Sequence, residues 1–259
     1  MEPGTLTIVG TGIQLVGHLT LAAQAWIKEA DKVLFAVADP VTAKWLQTLN
    51  KIVEPLPYNT NNQRRRQTYQ EMVEYILAAV RQGGNICVVF YGHPGVFSDP
   101  AHEAIRQARQ EGFHAQMLPG ISAEDCLFAD LGVDPGRNGC QSFEATDFLI
   151  RRRQFDPTSM LILWQLAMVG NLGFLKEGAP SPGLTILAEV LGQYYGLEHE
   201  VVIYEAATYY PVCHPLIKSL SLSQLPKAKV SEISTLYVPP QTPTTTLDYE
   251  MMARLGISP

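Results

Sequence analysis

Charge is scarce in this sequence: Asp, Glu, Lys and Arg make up 17% of 259 residues, and 25 acidic against 19 basic side chains leave a net charge of −6. No global basic surface is available, so a nucleic-acid partner would have to be held by a local patch against the overall field, and none is expected. Cysteine is as sparse. Cys87, Cys126, Cys140 and Cys213 lie far apart, with no C-x-x-C pair and no histidine at ligand spacing, which excludes the usual zinc patterns and a disulfide framework. They are expected as core thiols in a reducing cytoplasm. The longest apolar runs fall well short of the roughly 20 residues of a spanning helix, and the N-terminus has no basic segment leading into an apolar one. Internal repeats and low-complexity tracts are missing as well. What is left is a cytoplasmic globular protein without metal or membrane, 46% hydrophobic and long enough for one large domain or two modest ones. Two are expected.

Short β-rich runs alternate with helical periodicity through the first half. Leu6 to Gly12 reads as a strand ending in a glycine pair, and Leu19 to Ala30 as a helix. Lys32 to Val37 gives a second strand, closed by Asp39-Pro40, with a helix over Val41 to Leu49. From Tyr69 onward, Met72, Val73, Ile76, Leu77 and Val80 mark one face of a helix that Gly83-Gly84 ends. Ile86 to Tyr91 is the next strand, Ala101 to Glu111 a helix, and Ala115 to Leu118 a strand running into Pro119-Gly120. The alternation predicts a mostly parallel sheet covered by helices. After Pro119-Gly120 the punctuation changes: a helix from Ser122 to Leu131, strands at Met160 to Leu166, Glu200 to Tyr204 and Ser234 to Val238, and a helix around Leu184 to Tyr195. The boundary is placed there, giving an N-terminal α/β domain over 1–118 and a C-terminal one over 119–240. Residues 241–259 complete the Pro239 to Pro243 linker and carry a short amphipathic helix from Leu247 to Leu255.

Four segments carry candidate chemistry. Gly10-Thr11-Gly12 ends the first strand where backbone can approach a nucleotide-type ligand closely, although Gly17 breaks the G-x-G-x-x-G spacing and a plain tight turn fits equally. Tyr91-Gly92-His93-Pro94-Gly95-Val96-Phe97 follows a buried strand and exposes backbone groups at the sheet edge, while His93 alone fits a structural role. Pro119-Gly120-Ile121-Ser122-Ala123 repeats the logic, with Ser122 capping a helix or contacting a ligand. Arg64-Arg65-Arg66 precedes Tyr69, and Arg65 at i−4 shares the apolar face if the helix starts early. Burial beside a guanidinium favours a phenolate, as a phenolic base requires. A solvated arginine run is the alternative, and the sequence leaves open which of the three arginines faces a site.

Together, the LTIVGTG run, Arg65 with Tyr69, FYGHPGVF, LPGISAEDCLFAD and SFEATDFLI resemble the borosin peptide backbone α-N-methyltransferases, which look like offshoots of the tetrapyrrole methylases. The resemblance covers about residue 5 to residue 240. It implies a tetrapyrrole-methylase-like fold of two α/β domains with S-adenosylmethionine in the cleft between them, and methylation of main-chain amide nitrogens of a precursor peptide. By the same resemblance, Tyr58, Arg65, Tyr69 and Tyr91 stand at the chemistry. Tyr91, His93, Val96, Ser122, Ala123, Gln165, Ala206, Ser234 and Thr235 contact the cofactor. Tyr69 would take the amide proton, with Tyr91 and Tyr58 donating to the amide oxygen. Small tetrapyrrole enzymes usually carry Gly-Asp-Pro where this chain has Gly92-His93-Pro94, which disfavours a corrin or porphyrin substrate. Fused family members carry the substrate as their own C-terminal tail. This chain stops at Pro259 soon after the linker, so the split form is expected, iterating on a separate precursor as a homodimer or a heterotetramer with two precursors. A tetrapyrrole C-methyltransferase, with Arg151-Arg152-Arg153 at the edge of a basic pocket, is the rival reading.

Overall fold

The computed structural model describes residues 3–37, 39–59, 65–171, 182–241 and 247–258. Contacts group them into two units. The first comprises Met1–Leu131, Asn171–Glu177 and Ala206–Leu216; the second comprises Gly132–Gly170, Gly178–Glu205 and Ile217–Pro259.

In the first unit β1 (Thr5–Gly10), α1 (Leu21–Glu29), β2 (Lys32–Ala36), α2 (Pro40–Leu49), β3 (Val53–Pro55), α3 (Arg65–Arg81), β4 (Asn85–Phe90), α4 (Asp99–Gln110), β5 (His114–Met117) and α5 (Ala123–Leu131) follow one another. The strands form one sheet in the order β3-β2-β4-β1-β5, with every neighbouring pair parallel. Its continuous apolar runs follow from burial on both faces. Leu6, Ile8, Leu34, Val88 and Phe90 pack with α3 and α4 side chains, while Val9, Val33, Phe35 and Val89 pack with Ala23, Ile27 and Leu46 of α1 and α2. Successive side chains on a strand point to opposite faces, so one residue run serves both cores.

Helix α3 buries Met72, Val73, Ile76, Leu77 and Val80. At roughly 1.5–3 kcal/mol per buried large aliphatic side chain, this packing fixes the rotation of the helix about its axis. It begins at Arg65, one turn before the expected Tyr69. Asp39-Pro40 also differs from its reading as the end of a strand: Asp39 caps α2 by accepting from the Val41 and Thr42 amides, with Pro40 in the first turn.

The second unit holds α6 (Pro135–Asn138), β6 (Cys140–Glu144), α7 (Ala145–Ile150), β7 (Met160–Trp164), α8 (Gly183–Tyr195), β8 (Glu200–Glu205), β9 (Leu216–Ser221), β10 (Thr235–Val238) and α9 (Tyr249–Arg254). Its sheet runs β6-β7-β10-β8-β9. The parallel sheet expected from the alternation of the first half is confined to the first unit; here the arrangement is mixed, with β6 and β7 parallel and β10 antiparallel to both β7 and β8. Leu161, Leu163, Val201, Ile203 and Leu236 form its core with Leu187 and Leu191 of α8. Gln241 ties the end of this unit down, through its amide to the Pro157 carbonyl and its side chain to the Tyr194 carbonyl. The linker residues Thr242 and Pro243 lie outside the described residues, as does Arg64.

The cysteines depart from expectation. Only Cys87 is a core thiol; Cys126 and Cys140 are half-buried and Cys213 is exposed.

Candidate active site

A parallel sheet directs all its strand carboxyl ends, and the loops that follow them, to one edge. In the first unit that edge collects residues 11–20, 37, 39, 56–59, 91–98 and 118–122 together with the start of α3. Close backbone packing sets its shape. A Cβ on Gly10 would lie 2.0 Å from the Gly92 carbonyl oxygen, and one on Gly120 3.2 Å from the same atom. Gly12 and Gly92, both at φ +70°, exchange two amide–carbonyl hydrogen bonds of 3.1 Å. Only glycine combines that conformation with that approach. The glycine pair is therefore tied to the second loop, a role beyond that of a solitary turn.

The loop after β4 is held from both sides. Nδ1 of His93 accepts from the Gly95 amide at 2.9 Å, and Nε2 of His102 donates to the Gly95 carbonyl at 2.8 Å. This brace leaves Tyr91, Val96 and Phe97 exposed at 43%, 37% and 49%. The Tyr91 phenol is pushed up from its ordinary pKa by burial and then by the neighbouring Cys126, against an opposing hydrogen bond from Thr208. It remains a proton donor near neutral pH. Cys126 itself is held as a thiol, pushed up to about 11 by burial and then by Asp130 and Asp125.

Ser122 and Asp125 form a capping box at the head of α5. The Ser122 amide and hydroxyl both donate to Asp125 Oδ2 at 2.7 Å, and the Asp125 amide donates to Ser122 Oγ at 3.2 Å. Ala123, half-buried, is the first residue of the helix. Tyr58 is 55% exposed beyond β3. Arg65 and Tyr69 are both half-buried on one face of α3, with Tyr69 packed against the core and Arg66 exposed. Thr68, between them, donates to the Asn59 carbonyl at 2.7 Å and fixes α3 to the Tyr58 segment. Tyr58, Arg65, Tyr69, Tyr91, His93, Val96, Ser122 and Ala123 thus share one sheet edge.

Sequence reasoning missed the strap of residues 206–216. Thr208 accepts from the Leu15 amide through its carbonyl at 3.1 Å and bonds Tyr91 through its hydroxyl; Tyr209 donates to the Asp39 carboxylate. The signal was there as the small-polar-aromatic run AATYYP directly after a strand, of which only Ala206 was singled out. His18 was missed as well. Its Nδ1 accepts from the Ile13 and Gln14 amides at 3.3 and 3.2 Å, and burial lowers its pKa against the pull of Asp125 and Asp130.

The second unit has its own edge, where β7 ends and β10 begins. Gln165 adopts a left-handed conformation (φ 59°, ψ 46°) ahead of a 3-10 turn over Leu166–Met168. The Leu166 amide donates to the Ser234 carbonyl at 3.2 Å. Ser234 is fully buried, its hydroxyl accepting from the Ser231 amide at 2.8 Å and donating to Glu205. Thr235 is 1% exposed beside it. Gln165, Ser234 and Thr235 are brought together here, and Ala206 follows the last residue of β8. Two arginines of the proposed basic rim are engaged locally: Arg151 and Arg153 pair with Asp147 at 2.6 and 2.8 Å. Among the described residues, no cluster of three His, Cys, Asp or Glu could hold a metal, and no helix is long and apolar enough to cross a membrane.

In the first unit, segments 11–18, 91–98, 118–123 and 206–212 contain no lysine or arginine, so nothing in them repels a cationic ligand such as a sulfonium, and the open faces of Tyr91 and Val96 offer apolar contact. In the second unit, segments 165–170 and 231–235 contain none either.

Residues 5–210 match the family described as Tetrapyrrole (Corrin/Porphyrin) Methylases. A methyltransferase/ribosomally synthesized cyclic peptide dendrothelin A precursor from Dendrothele bispora is 44% identical over 93% of this chain and 58% of its own length. The omphalotin A precursor of the same kind from Omphalotus olearius is 42% identical over 100% of the chain and 63% of its own. The chain thus spans less than two thirds of these relatives. Uroporphyrin-III-C-methyltransferase from Thermus thermophilus superposes with a TM-score of 0.63 at 18% identity, over 92% of this chain and 93% of that one. A structure of the enzyme complexed with S-adenyl homocysteine superposes with a TM-score of 0.62 at 17% identity, over 91% and 92%.

Proposed function

The chain belongs to the tetrapyrrole (corrin/porphyrin) methylases, and from that premise we propose that it is an S-adenosylmethionine-dependent methyltransferase acting on main-chain amides of a precursor peptide. The observation that carries the peptide reading is the similarity, along nearly the whole chain, to methyltransferases fused to ribosomal cyclic-peptide precursors. The tyrosine-rich edge of the first unit supports it chemically. An amide nitrogen is a poor nucleophile because its lone pair is delocalised into the carbonyl. Its proton must leave while charge on the oxygen is stabilised. S-adenosylmethionine, when bound, supplies a methyl group on a positive sulfonium.

The rest falls to this chain's residues. Tyr91, kept protonated, donates to the amide oxygen, with Tyr58 as a second donor. Tyr69 takes the amide proton, and the Arg65 guanidinium at i−4 balances the charge. Tyr91, His93, Val96, Ala123, Gln165, Ala206 and Thr235 bind the cofactor. Of these, Tyr91, His93 and Val96 belong to the N-terminal domain 1–118 of this reading and Ala123, Gln165, Ala206 and Thr235 to the C-terminal one, 119–240, with 241–259 outside both. Holding the amide in line with the methyl accounts for much of the remaining acceleration. The relatives carry their peptide in the same chain, so a separate precursor, iteration along it, a homodimer and a cytoplasmic setting are parts of this proposal.

The test is incubation of the 259-residue chain with S-adenosylmethionine and a synthetic Val/Ile/Ala-rich peptide, followed by fragmentation mass spectrometry. Methylene mass increments on backbone nitrogens are expected, and Tyr69→Phe should abolish them while retaining cofactor binding. Methylation of side chains alone, or of a porphyrinogen instead of the peptide, overturns the reading. The tetrapyrrole alternative is the weaker one, because Arg151 and Arg153 are engaged by Asp147.

A further inference from the structure

At the edge of the second unit one carboxylate holds the 231–235 turn, and that turn holds the Gln165 turn. Glu205, the last residue of β8, accepts from the Ser231 hydroxyl at 2.7 Å and from the Ser234 hydroxyl, both on Oε1. Ser231 and Ser234 also close a backbone turn on each other: the Ser234 amide donates to the Ser231 carbonyl at 3.0 Å, and the Ser231 amide to Ser234 Oγ at 2.8 Å. The Ser234 carbonyl then receives the Leu166 amide, which anchors the left-handed Gln165 turn. The amide, hydroxyl and carbonyl of Ser234 are each engaged inside the protein, and its surface is wholly buried. Ser234 therefore works as a link between Glu205 and the Gln165 turn.

We propose that Glu205 is a positioning residue for the cofactor, holding the 231–235 turn and, through Ser234, the Gln165 turn in their binding conformation. The inference rests on the reading of Gln165 and Thr235 as cofactor contacts. One carboxylate oxygen receiving two hydroxyls gives charge-assisted hydrogen bonds, stronger than neutral ones. Removing it leaves the buried Ser234 hydroxyl without its acceptor and frees the turn to rearrange.

The test is calorimetric titration with S-adenosylhomocysteine of the wild type, Glu205→Ala, Glu205→Gln and Ser231→Ala, with thermal melts alongside. Glu205→Ala should weaken binding roughly tenfold or more, while kcat at saturating S-adenosylmethionine stays within about threefold. Glu205→Gln keeps an acceptor oxygen and should recover most of the affinity. A folded Glu205→Ala chain with wild-type affinity overturns the inference, as does a Gln variant no better than Ala. If Glu205→Ala does not fold, Ser231→Ala, at an exposed position, removes one of the two donors and should weaken binding a few-fold; unchanged affinity there overturns the inference equally. A wild-type chain that fails to bind S-adenosylhomocysteine sinks the cofactor reading itself, a result distinct from either.

Discussion

Tyr91 has to do two things in the proposed chemistry: keep its proton, and point it at the amide oxygen. Burial and the neighbouring Cys126 secure the first by pushing the phenol up. Thr208 addresses the second, because a hydroxyl that donates to the phenolic oxygen fixes it and leaves the phenolic hydrogen available. Thr208→Val should lower kcat about tenfold with little change in the KM for S-adenosylmethionine, and Thr208→Ser should restore it. The pH profile gives an independent readout. A donor is lost as pH rises through its pKa, and the Thr208 bond lowers the pKa of Tyr91. Its removal should therefore move the alkaline fall of activity to higher pH. A Val variant with the wild-type profile and kcat would separate Thr208 from Tyr91.

At the scale of elements, the site edge is shaped by backbone contact between loops. Gly10→Ala puts a methyl 2.0 Å from the Gly92 carbonyl oxygen, a backbone atom already engaged by the Gly12 amide, and should cost about 3 kcal/mol in denaturant unfolding. Gly17→Ala meets nothing closer than 3.6 Å and should change stability by less than about 1 kcal/mol. Equal effects would mean that the Gly10–Gly92 contact does not hold the edge. Such backbone contacts leave little trace in residue type. Strands β1, β2 and β4 were legible because burial on both faces writes short apolar runs, and the edge strand β5 from its place ahead of Pro119-Gly120. Helix α3 was legible from its 3.6-residue period, and its early start at Arg65 was not, because a half-buried arginine looks like a solvated one. β6 and β9 were missed: Cys140 to Glu144 is half-polar, and β9 exposes its first four residues at the sheet edge. His93 and Ser122 were picked out correctly as loop residues, but their braces on Gly95 and Asp125 depend on geometry the residue types do not encode. Thr208 and Glu205 stayed hidden because their partners, Tyr91 and Ser231 with Ser234, lie far away in the chain.

Over the whole molecule, the sparse and acidic charge bears on which polymer the protein could grip. A protein reading a nucleic acid neutralises phosphates and loses affinity steeply with salt, by roughly 10³ or more between about 50 and 200 mM for several contacts. This chain carries a net charge of −6, and its candidate cofactor loops, unlike the Arg64-Arg65-Arg66 segment, hold no lysine or arginine. A peptide main chain can instead be gripped by backbone hydrogen bonds and side-chain pockets, which salt screens little. With an uncharged peptide, kcat/KM should therefore change less than about threefold over the same salt range. Initial rates of methyl transfer at several salt concentrations measure it. A steep fall with a slope of several in log–log form would point to a polyanionic substrate, and the peptide reading would have to give way, since no arrangement of neutral loops reproduces counterion release.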